Sequence, residues 1–85
     1  MAYVYVLKSK KDGMLYVGST RDLKKRFEEH NKGLVPSTRK RKPFILIYYE
    51  AYLVESDARS REHQLKLLAN ALTQLKRRLP ASLKS

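Results

Sequence analysis

Two residues in the stretch "LYVGSTRDLKKRFEEH" (15–30) have the types and the spacing to act on a phosphate group. Arg26 and His30 stand four positions apart, so a helix over this stretch would carry both on one face. Arginine offers a planar set of donors that matches phosphate oxygens, and histidine can hydrogen-bond a phosphate or move a proton near neutral pH. The alternative is a solvated arginine next to a half-buried histidine, without a chemical role.

A carboxylate in a later helical stretch (55–79) is the second candidate. The apolar positions of that stretch recur at helical spacing and form one stripe, namely Leu65, Leu68, Ala69, Leu72 and Leu75. Glu62 falls on this stripe or at its edge, where burial of an isolated charge would be costly. Two alternatives follow for this carboxylate: a metal ligand, or an ion pair with Arg59, Arg61 or Lys66.

Tyrosines in two predicted strands form the third element. The chain has 6 tyrosines in 85 residues, and Tyr5 and Tyr16 lie in strands that we expect to pair. A strand tyrosine by default packs in the core with its hydroxyl at the rim. Gly18 follows at the end of the second strand, where a missing side chain would let a ligand backbone approach closely.

The charge of the chain indicates a polyanionic partner. The net charge is +11 on 85 residues, and self-repulsion of this size opposes compaction. Nucleic acid is favoured over an anionic membrane surface, because no stretch pairs a long apolar face with a basic one. A surface tuned only for solubility is the alternative. The basic residues expected to contact nucleic acid are Lys24, Lys25, Arg39, Lys40, Arg41 and Lys42.

The composition also argues against several classes of protein. The chain contains no cysteine, which excludes disulfides and thiolate metal sites. Its longest apolar run is far shorter than the ~20 residues of a membrane-spanning helix. The N-terminal charges follow the apolar run, which is the wrong order for a signal peptide. We therefore expect a cytoplasmic protein that does not bind membranes.

The elements that must position these residues are predicted from β-prone runs, turns and helix caps. Strands are predicted at 3–8, 14–18 and 44–51, and helices at 20–31, 56–68 and 71–79. Ser19, with Asp22 three positions later, predicts the start of the first helix, and Gly33 predicts its end. The order β-β-α-β-α-α predicts an α+β fold with a small, mostly antiparallel three-stranded sheet flanked by helices.

The remaining segments are a loop, a helix break and a tail. The stretch 34–43 has prolines near its two ends and four consecutive basic residues, which predicts an exposed basic loop. Asn70 is a candidate break that would divide the long helical stretch in two. We expect one domain over residues 1–80 and a short C-terminal tail at 81–85.

The ordered set of these residues resembles the GIY-YIG nuclease superfamily. The triplets "YVY" (3–5) and "YVG" (16–18) are followed by Arg26, His30 and a helical glutamate in the family's order. Tyr3 stands where the superfamily name has glycine, and Val17 stands where it has isoleucine. "EHNKGLVPST" and "SREHQLK" are also similar to segments of the small stand-alone bacterial members, which themselves resemble the N-terminal nuclease domain in the C component of excinuclease ABC.

The resemblance implies a role for each candidate residue. Tyr5 and Tyr16 would be the paired active-site tyrosines, one of which activates or orients the attacking water. Arg26 would hold the scissile phosphate, and His30 would assist proton transfer or phosphate positioning. Glu62 would be the protein carboxylate on Mg²⁺ or Mn²⁺. The implied activity is metal-dependent hydrolysis of phosphodiester bonds, in DNA more than RNA, with DNA repair as the implied setting.

Two rival functions stay open at this point. One is a non-catalytic nucleic-acid-binding module on the same fold, and the other is a small basic RNA-associated protein whose charge acts alone. Glu62 separates the enzyme from the binder, because a carboxylate in a phosphate-binding cleft would weaken binding by like-charge repulsion. That argument favours the enzyme.

Overall fold

Three antiparallel strands with helices on both sides make up the fold, which confirms the predicted α+β class. The computed structural model describes residues 1–67 and 69–84, and the side chains of all of these except 69–71. The elements are β1 (Ala2–Ser9), β2 (Leu15–Thr20), α1 (Leu23–Lys32), β3 (Phe44–Tyr52), α2 (Glu55–Leu67), α3 (Ala69–Arg78) and α4 (Pro80–Leu83). A short 3-10 helix at Arg39–Arg41 precedes β3. The strand order in the sheet is β2-β1-β3.

The central strand β1 is buried on both faces, which explains why its sequence is apolar at nearly every position. Val4 and Val6 pack on one face against a cluster that includes residues of α2 and α3. Tyr5 and Leu7 pack on the opposite face, in a second cluster with residues of α1 and β3. We call these two surfaces the α2 face and the α1 face of the sheet.

The register of the β1–β2 hairpin brings the candidate tyrosines to the α1 face. Tyr5 is paired with Gly18, and Leu7 is paired with Tyr16. Because directly opposed residues share a face, Tyr5, Tyr16 and Gly18 lie on the same side of the sheet. Ser19 follows Gly18 and therefore lies on the α2 face.

Gly18 is needed for a reason that differs from the sequence-based expectation. A Cβ at this position would lie 2.5 Å from Cζ of Tyr5 and closer still to its hydroxyl oxygen. The space over Gly18 is thus taken by the Tyr5 ring, where we had expected the backbone of a ligand.

The start of α1 corrects one prediction. Asp22 is the N-cap, and its carboxylate accepts a hydrogen bond from the backbone N–H of Lys25 at 3.1 Å. The predicted cap at Ser19 is wrong because β2 continues to Thr20, which is paired with Tyr3. The predicted end is confirmed: Gly33 is the C-cap and adopts a left-handed conformation with φ of 77°.

The loop between α1 and β3 is less exposed than predicted. Val35 and Thr38 are buried, and Arg41 is half-buried. The Arg41 Nε atom forms an ion pair with Asp12 at 2.8 Å, and its guanidinium carbon lies 5.7 Å from the centroid of the Phe44 ring. Only part of this loop therefore offers its positive charge to solvent.

The helices that cover the α2 face agree with the predicted apolar stripe where they are described. Leu65 and Leu75 are buried, and Leu72 packs against them. Leu68 and the side chain of Ala69 lie outside the described residues. Asn70, the predicted break, lies within α3.

The C-terminal segment continues the fold past residue 80. Pro80–Leu83 forms α4, which contacts α3 and β3, in the stretch where we expected the end of the domain and the start of a tail. Among the helices that the structure describes, none has the length and apolar character to cross a membrane.

The close fit of Tyr5 over Gly18 makes a prediction about stability. Gly18→Ala should lower the free energy of unfolding by roughly 1–3 kcal/mol, because the added methyl forces the Tyr5 ring to move. Urea denaturation measures this loss. In a Tyr5→Ala background the same change should lose most of its effect, since the overlap is gone. Equal losses in both backgrounds would show that the ring does not depend on Gly18.

Candidate active site

A buried tyrosine–histidine pair lies at the centre of the candidate site. Tyr5 and His30 are 1% and 0% exposed, and the Tyr5 hydroxyl lies 2.9 Å from Nε2 of His30. The other ring nitrogen, Nδ1, lies 2.7 Å from the Thr38 hydroxyl, which in turn reaches the Val35 carbonyl at 3.5 Å. A carbonyl only accepts, so the most consistent assignment has Thr38 donating to Val35 and accepting from Nδ1–H. His30 Nε2 then accepts from Tyr5.

Aromatic rings surround the imidazole and keep it neutral. The His30 ring lies edge-on to Tyr16 and Phe44, with centroids 5.0 and 5.8 Å away. The pKa of His30 is lowered to about 4, chiefly by burial and then by the charge of Arg26, while Glu29 acts in the opposite direction. At neutral pH the imidazole is therefore uncharged, which leaves Nε2 free to accept a proton.

Arg26 places a partly exposed positive charge beside the Tyr5 hydroxyl. Burial raises the pKa of Tyr5 to about 12, and this rise occurs despite the neighbouring guanidinium of Arg26, which favours the phenolate. The side chain of Arg26 is 40% exposed and lies 3.5 Å from Glu29, one turn along the same helix. A group from solvent can therefore reach the guanidinium, whereas it cannot reach His30.

Tyr16 lies between this buried pair and the outer edge of the sheet. Its ring centroid is 6.4 Å from that of Tyr5, and Lys66 of α2 places its ammonium 5.7 Å from the Tyr16 centroid. Since β2 is an edge strand, α2 can extend a side chain past that edge to the α1 face. Residues from opposite faces of the sheet thus meet near Tyr16.

Glu62 lies at this edge and is held by two partners. Its carboxylate accepts a hydrogen bond from the Ser19 hydroxyl, and Oε2 is 2.6 Å from the Lys66 ammonium. Burial alone would raise the pKa of Glu62, but the hydrogen bonds from Lys66 and Ser19 outweigh it, so the pKa is lowered. The carboxylate is therefore ionised. It is also near enough to Tyr5 for its charge to contribute to the raised pKa of that hydroxyl.

The donor set at Glu62 suits a magnesium ion and suits metals with several protein ligands poorly. Within the described part of the chain, no group of three or more histidine, cysteine, aspartate or glutamate side chains could hold a metal. Mg²⁺ keeps most of its waters and is commonly bound through one or two carboxylates together with a substrate phosphate. An ionised carboxylate next to a hydroxyl meets that requirement. The Glu62 carboxylate already binds one cation, the ammonium of Lys66.

The structure brings four of the predicted site residues together and places the fifth beside them. Tyr5, Tyr16, Arg26 and His30 share the α1 face, and Glu62 approaches around the edge of β2. The predicted nucleic-acid contacts differ in availability. Arg41 is tied to Asp12, while the following are exposed: Lys24, Lys25, Arg39, Lys40 and Lys42.

Three partners of the site were not predicted in these roles. Thr38 lies in the predicted loop and ends the segment "EHNKGLVPST" that resembles the family, but no local pattern links its hydroxyl to His30. Ser19 was interpreted as a helix cap because serine followed by an acidic residue is typical of one. Lys66 was considered only as one of several ion-pair alternatives for Glu62, and its spacing of four residues on a helix was the available signal.

Comparisons with known proteins agree with this geometry. The family model described as the GIY-YIG catalytic domain matches residues 1–77. A UPF0213 protein of Clostridium perfringens is 45% identical over 69 residues, which cover 80% of this chain and 73% of that protein. A UPF0213 protein of Staphylococcus saprophyticus is 40% identical over 65 residues, covering 75% and 78% of the two chains.

A solved structure is similar over most of its length. The solution NMR structure of a UPF0213 protein from Bacillus halodurans is 35% identical in sequence and matches with a TM-score of 0.54. The match covers 89% of this chain and 86% of that one. Sequence and fold therefore point to the same group of small proteins.

The buried imidazole makes stability depend on pH in a defined direction. The folded-state pKa of about 4 lies below the value of about 6.5 in the unfolded chain, so the unfolded state binds more protons between these values. The contribution of His30 to the free energy of unfolding should be fully present above its pKa in the unfolded chain. The free energy of unfolding should fall by roughly 2 kcal/mol from about pH 7 to pH 5. Urea denaturation at several pH values measures this loss.

Two variants isolate the contribution of His30 from that of other titrating groups. The free energy of unfolding of His30→Gln should depend much less on pH in this range, whatever the absolute stability of the variant. His63 is exposed, and His63→Gln should behave as the wild type does. If the free energies of unfolding of the wild type and of His30→Gln changed equally with pH, that result would contradict a buried neutral imidazole.

Proposed function

The chain belongs to the GIY-YIG family of nuclease domains, and from that premise we propose that it is a metal-dependent endonuclease that hydrolyses phosphodiester bonds, with DNA preferred over RNA. The observation that carries the proposal is the hydrogen-bonded chain from Tyr5 through His30 to Thr38, next to the accessible guanidinium of Arg26. A positive charge open to solvent, with a buried proton acceptor behind it, suits hydrolysis of a phosphate ester.

Arg26 binds the scissile phosphate in this mechanism. Its fork of donors matches two phosphate oxygens, and its charge offsets the charge that develops in the transition state. The ion pair with Glu29 spans 3.5 Å and is partly exposed, so it limits the guanidinium only weakly. Lys24 and Lys25 stand on the exposed side of the same helix and attract the flanking phosphates.

Tyr5 would orient the attacking water and pass on its proton, which requires that its hydroxyl, in a side chain that is 1% exposed, become accessible when substrate binds beside Arg26. The pKa of this phenol is raised to about 12, so it does not ionise on its own at neutral pH. It can take a proton from water only if its own proton moves to Nε2 of His30 at the same time, and the 2.9 Å contact permits that transfer. Tyr16 packs against the imidazole and keeps it in place.

Substrate binding strengthens this relay. Besides burial, the charge of Arg26 lowers the pKa of His30. A phosphate on Arg26 would offset that charge, so the imidazole would become a better proton acceptor when substrate is present. This coupling gives His30 a role without contact to the phosphate, which its complete burial prevents.

Glu62 and the Ser19 hydroxyl would hold a magnesium ion at the edge of β2. When bound there, the ion would supply positive charge for the leaving oxygen. Lys66 would have to release Oε2 first, and its side chain is 44% exposed, which leaves it room to turn towards solvent.

The ion pair between Glu62 and Lys66 favours a second candidate function, a non-catalytic nucleic-acid-binding module on the same fold. This pair satisfies the carboxylate without a metal, as a structural glutamate requires. The ion pair would then stabilise α2, and the residues around Tyr5 would contribute only to packing.

Cleavage of labelled DNA with Mg²⁺ or Mn²⁺ tests the proposed activity. Glu62→Gln should abolish cleavage and leave DNA affinity unchanged or slightly higher, since a negative charge is lost. Arg26→Ala should lower the rate on the order of 10²–10³-fold, as for loss of one transition-state donor. Glu28→Gln and Arg77→Ala change the same charges at exposed positions and should cleave normally.

The result that would refute the enzyme is specific. It is a wild-type protein that binds DNA and cleaves none with either metal, together with a Glu62→Gln variant that melts several degrees lower. That pair of results would assign Glu62 to stability and the domain to binding.

Competition between Lys66 and the metal makes a separate prediction. Lys66→Met should raise the affinity for Mn²⁺, measured by electron paramagnetic resonance, by roughly two- to fivefold, because a partly exposed competing cation is removed. Lys76→Met removes the same charge from an exposed position of α3 and should leave the affinity unchanged. Equal affinities in the two variants would place the metal away from Glu62.

A further inference from the structure

A shallow groove adjoins the candidate active site on the α1 face of the sheet. It encloses about 600 Å³ between the sheet and the first turns of α1, which is within the usual size of ligand clefts. Tyr3, Phe27 and Tyr49 provide aromatic surface, and Arg21 and Lys24 also line it. We call the space between these five residues the aromatic groove.

The aromatic side chains of the groove are only partly used by the core. Tyr49 lies within β3, yet 54% of it is exposed. Its ring contacts Tyr3 edge-on, with centroids 6.2 Å apart and an angle of 64° between the ring planes. Tyr3 and Phe27 are half-buried. An aromatic pair that keeps this much exposed surface has room for a third planar group.

The groove lies next to Tyr5 and Arg26, the residues that we propose act on the phosphate. Tyr49 is paired directly with Tyr5 across β1 and β3, and Tyr3 lies two residues before Tyr5 on the same face. Arg26 lines a neighbouring depression that shares Arg21 and Asp22 with the groove. A nucleotide whose phosphate binds Arg26 can therefore place its own or its neighbour's base in the aromatic groove.

The charges around the groove match a nucleotide. Arg21 is 79% exposed although it is paired with Glu55, and Lys24 is exposed. Asp22 also lines the groove, but its carboxylate accepts the hydrogen bond from the N–H of Lys25 that caps α1. Aromatic surface beside basic side chains is the combination by which proteins bind single-stranded nucleic acid.

We infer that the aromatic groove is a subsite for an unpaired nucleobase next to the scissile phosphate. The inference rests on the proposed function, because it takes Arg26 as the phosphate ligand. A base inside a duplex is stacked on both sides and cannot lie against protein rings. The substrate class is therefore nucleic acid with single-stranded character at the cleavage position, and the protein recognises it by stacking, which tolerates any base.

Binding without divalent metal tests the inference independently of cleavage. In EDTA, the dissociation constant is measured for a single-stranded oligothymidine, for the same strand with abasic residues, and for a duplex of equal length. Tyr49→Ala should weaken binding of the intact single strand by about tenfold, as loss of one stacked base implies. It should change binding of the abasic strand and the duplex by less than about twofold.

Two further variants control for fold and for exposed apolar surface. Tyr49→Trp offers a larger stacking surface and should retain or improve binding of the single strand. Leu53→Ala removes an exposed apolar side chain just beyond β3 and should leave all three constants unchanged. Circular dichroism melting establishes that each variant is folded at the temperature of the titration.

Three outcomes would overturn the inference. The abasic strand could bind the wild type as tightly as the intact strand, or Tyr49→Ala could weaken binding of single strand and duplex equally. The third is self-association of the wild type that Tyr49→Ala abolishes, which would make the groove a contact between copies. Because the titration does not depend on cleavage, a protein that stacks bases but never cleaves would refute the proposed activity alone.

Discussion

The hydrogen bond between Tyr5 and His30 is the interaction on which the rest of the site depends. A phenol and an imidazole are both costly to bury without partners, so every segment around them must supply either a partner or space. Thr38 supplies the second hydrogen bond from the loop, and Gly18 supplies the space on β2. The buried polar pair joins β1 to α1, and it therefore also fixes the loop at Thr38 and β2 at Gly18.

The two faces of the sheet carry different groups. The α2 face packs aliphatic side chains of β1 against α2 and α3 and also carries Tyr48 and Tyr52 of β3, whereas the α1 face carries the cluster of Tyr5, Tyr16 and His30. The two faces meet at the edge of β2, where Lys66 pairs with Glu62 and lies over the ring of Tyr16. β2 pairs with β1 on one side and forms an edge of the described sheet, which makes this meeting sterically possible.

Local patterns were sufficient for the fold and for part of the site. Gly33 ended α1 as predicted, and the helical period placed Glu62 at the margin of a buried stripe. Ser19 was misassigned because the sequence does not record how far β2 continues to pair with β1. Thr38 lies in a segment that resembles the family, but its contact with His30 could not be predicted, because it depends on the path of the loop and not on any periodicity.

The central claim is that Arg26 and Glu62, from opposite faces of the sheet, act on one phosphate beside Tyr5. Paramagnetic broadening by Mn²⁺ in ¹H–¹⁵N NMR spectra of the oligonucleotide-bound protein tests it most directly. The account predicts the strongest broadening at the amides of Ser19 and Glu62 and at the side-chain Nε–H of Arg26. Broadening strongest around another carboxylate, such as Asp12 or Glu55, with the Arg26 signal unaffected, would contradict it.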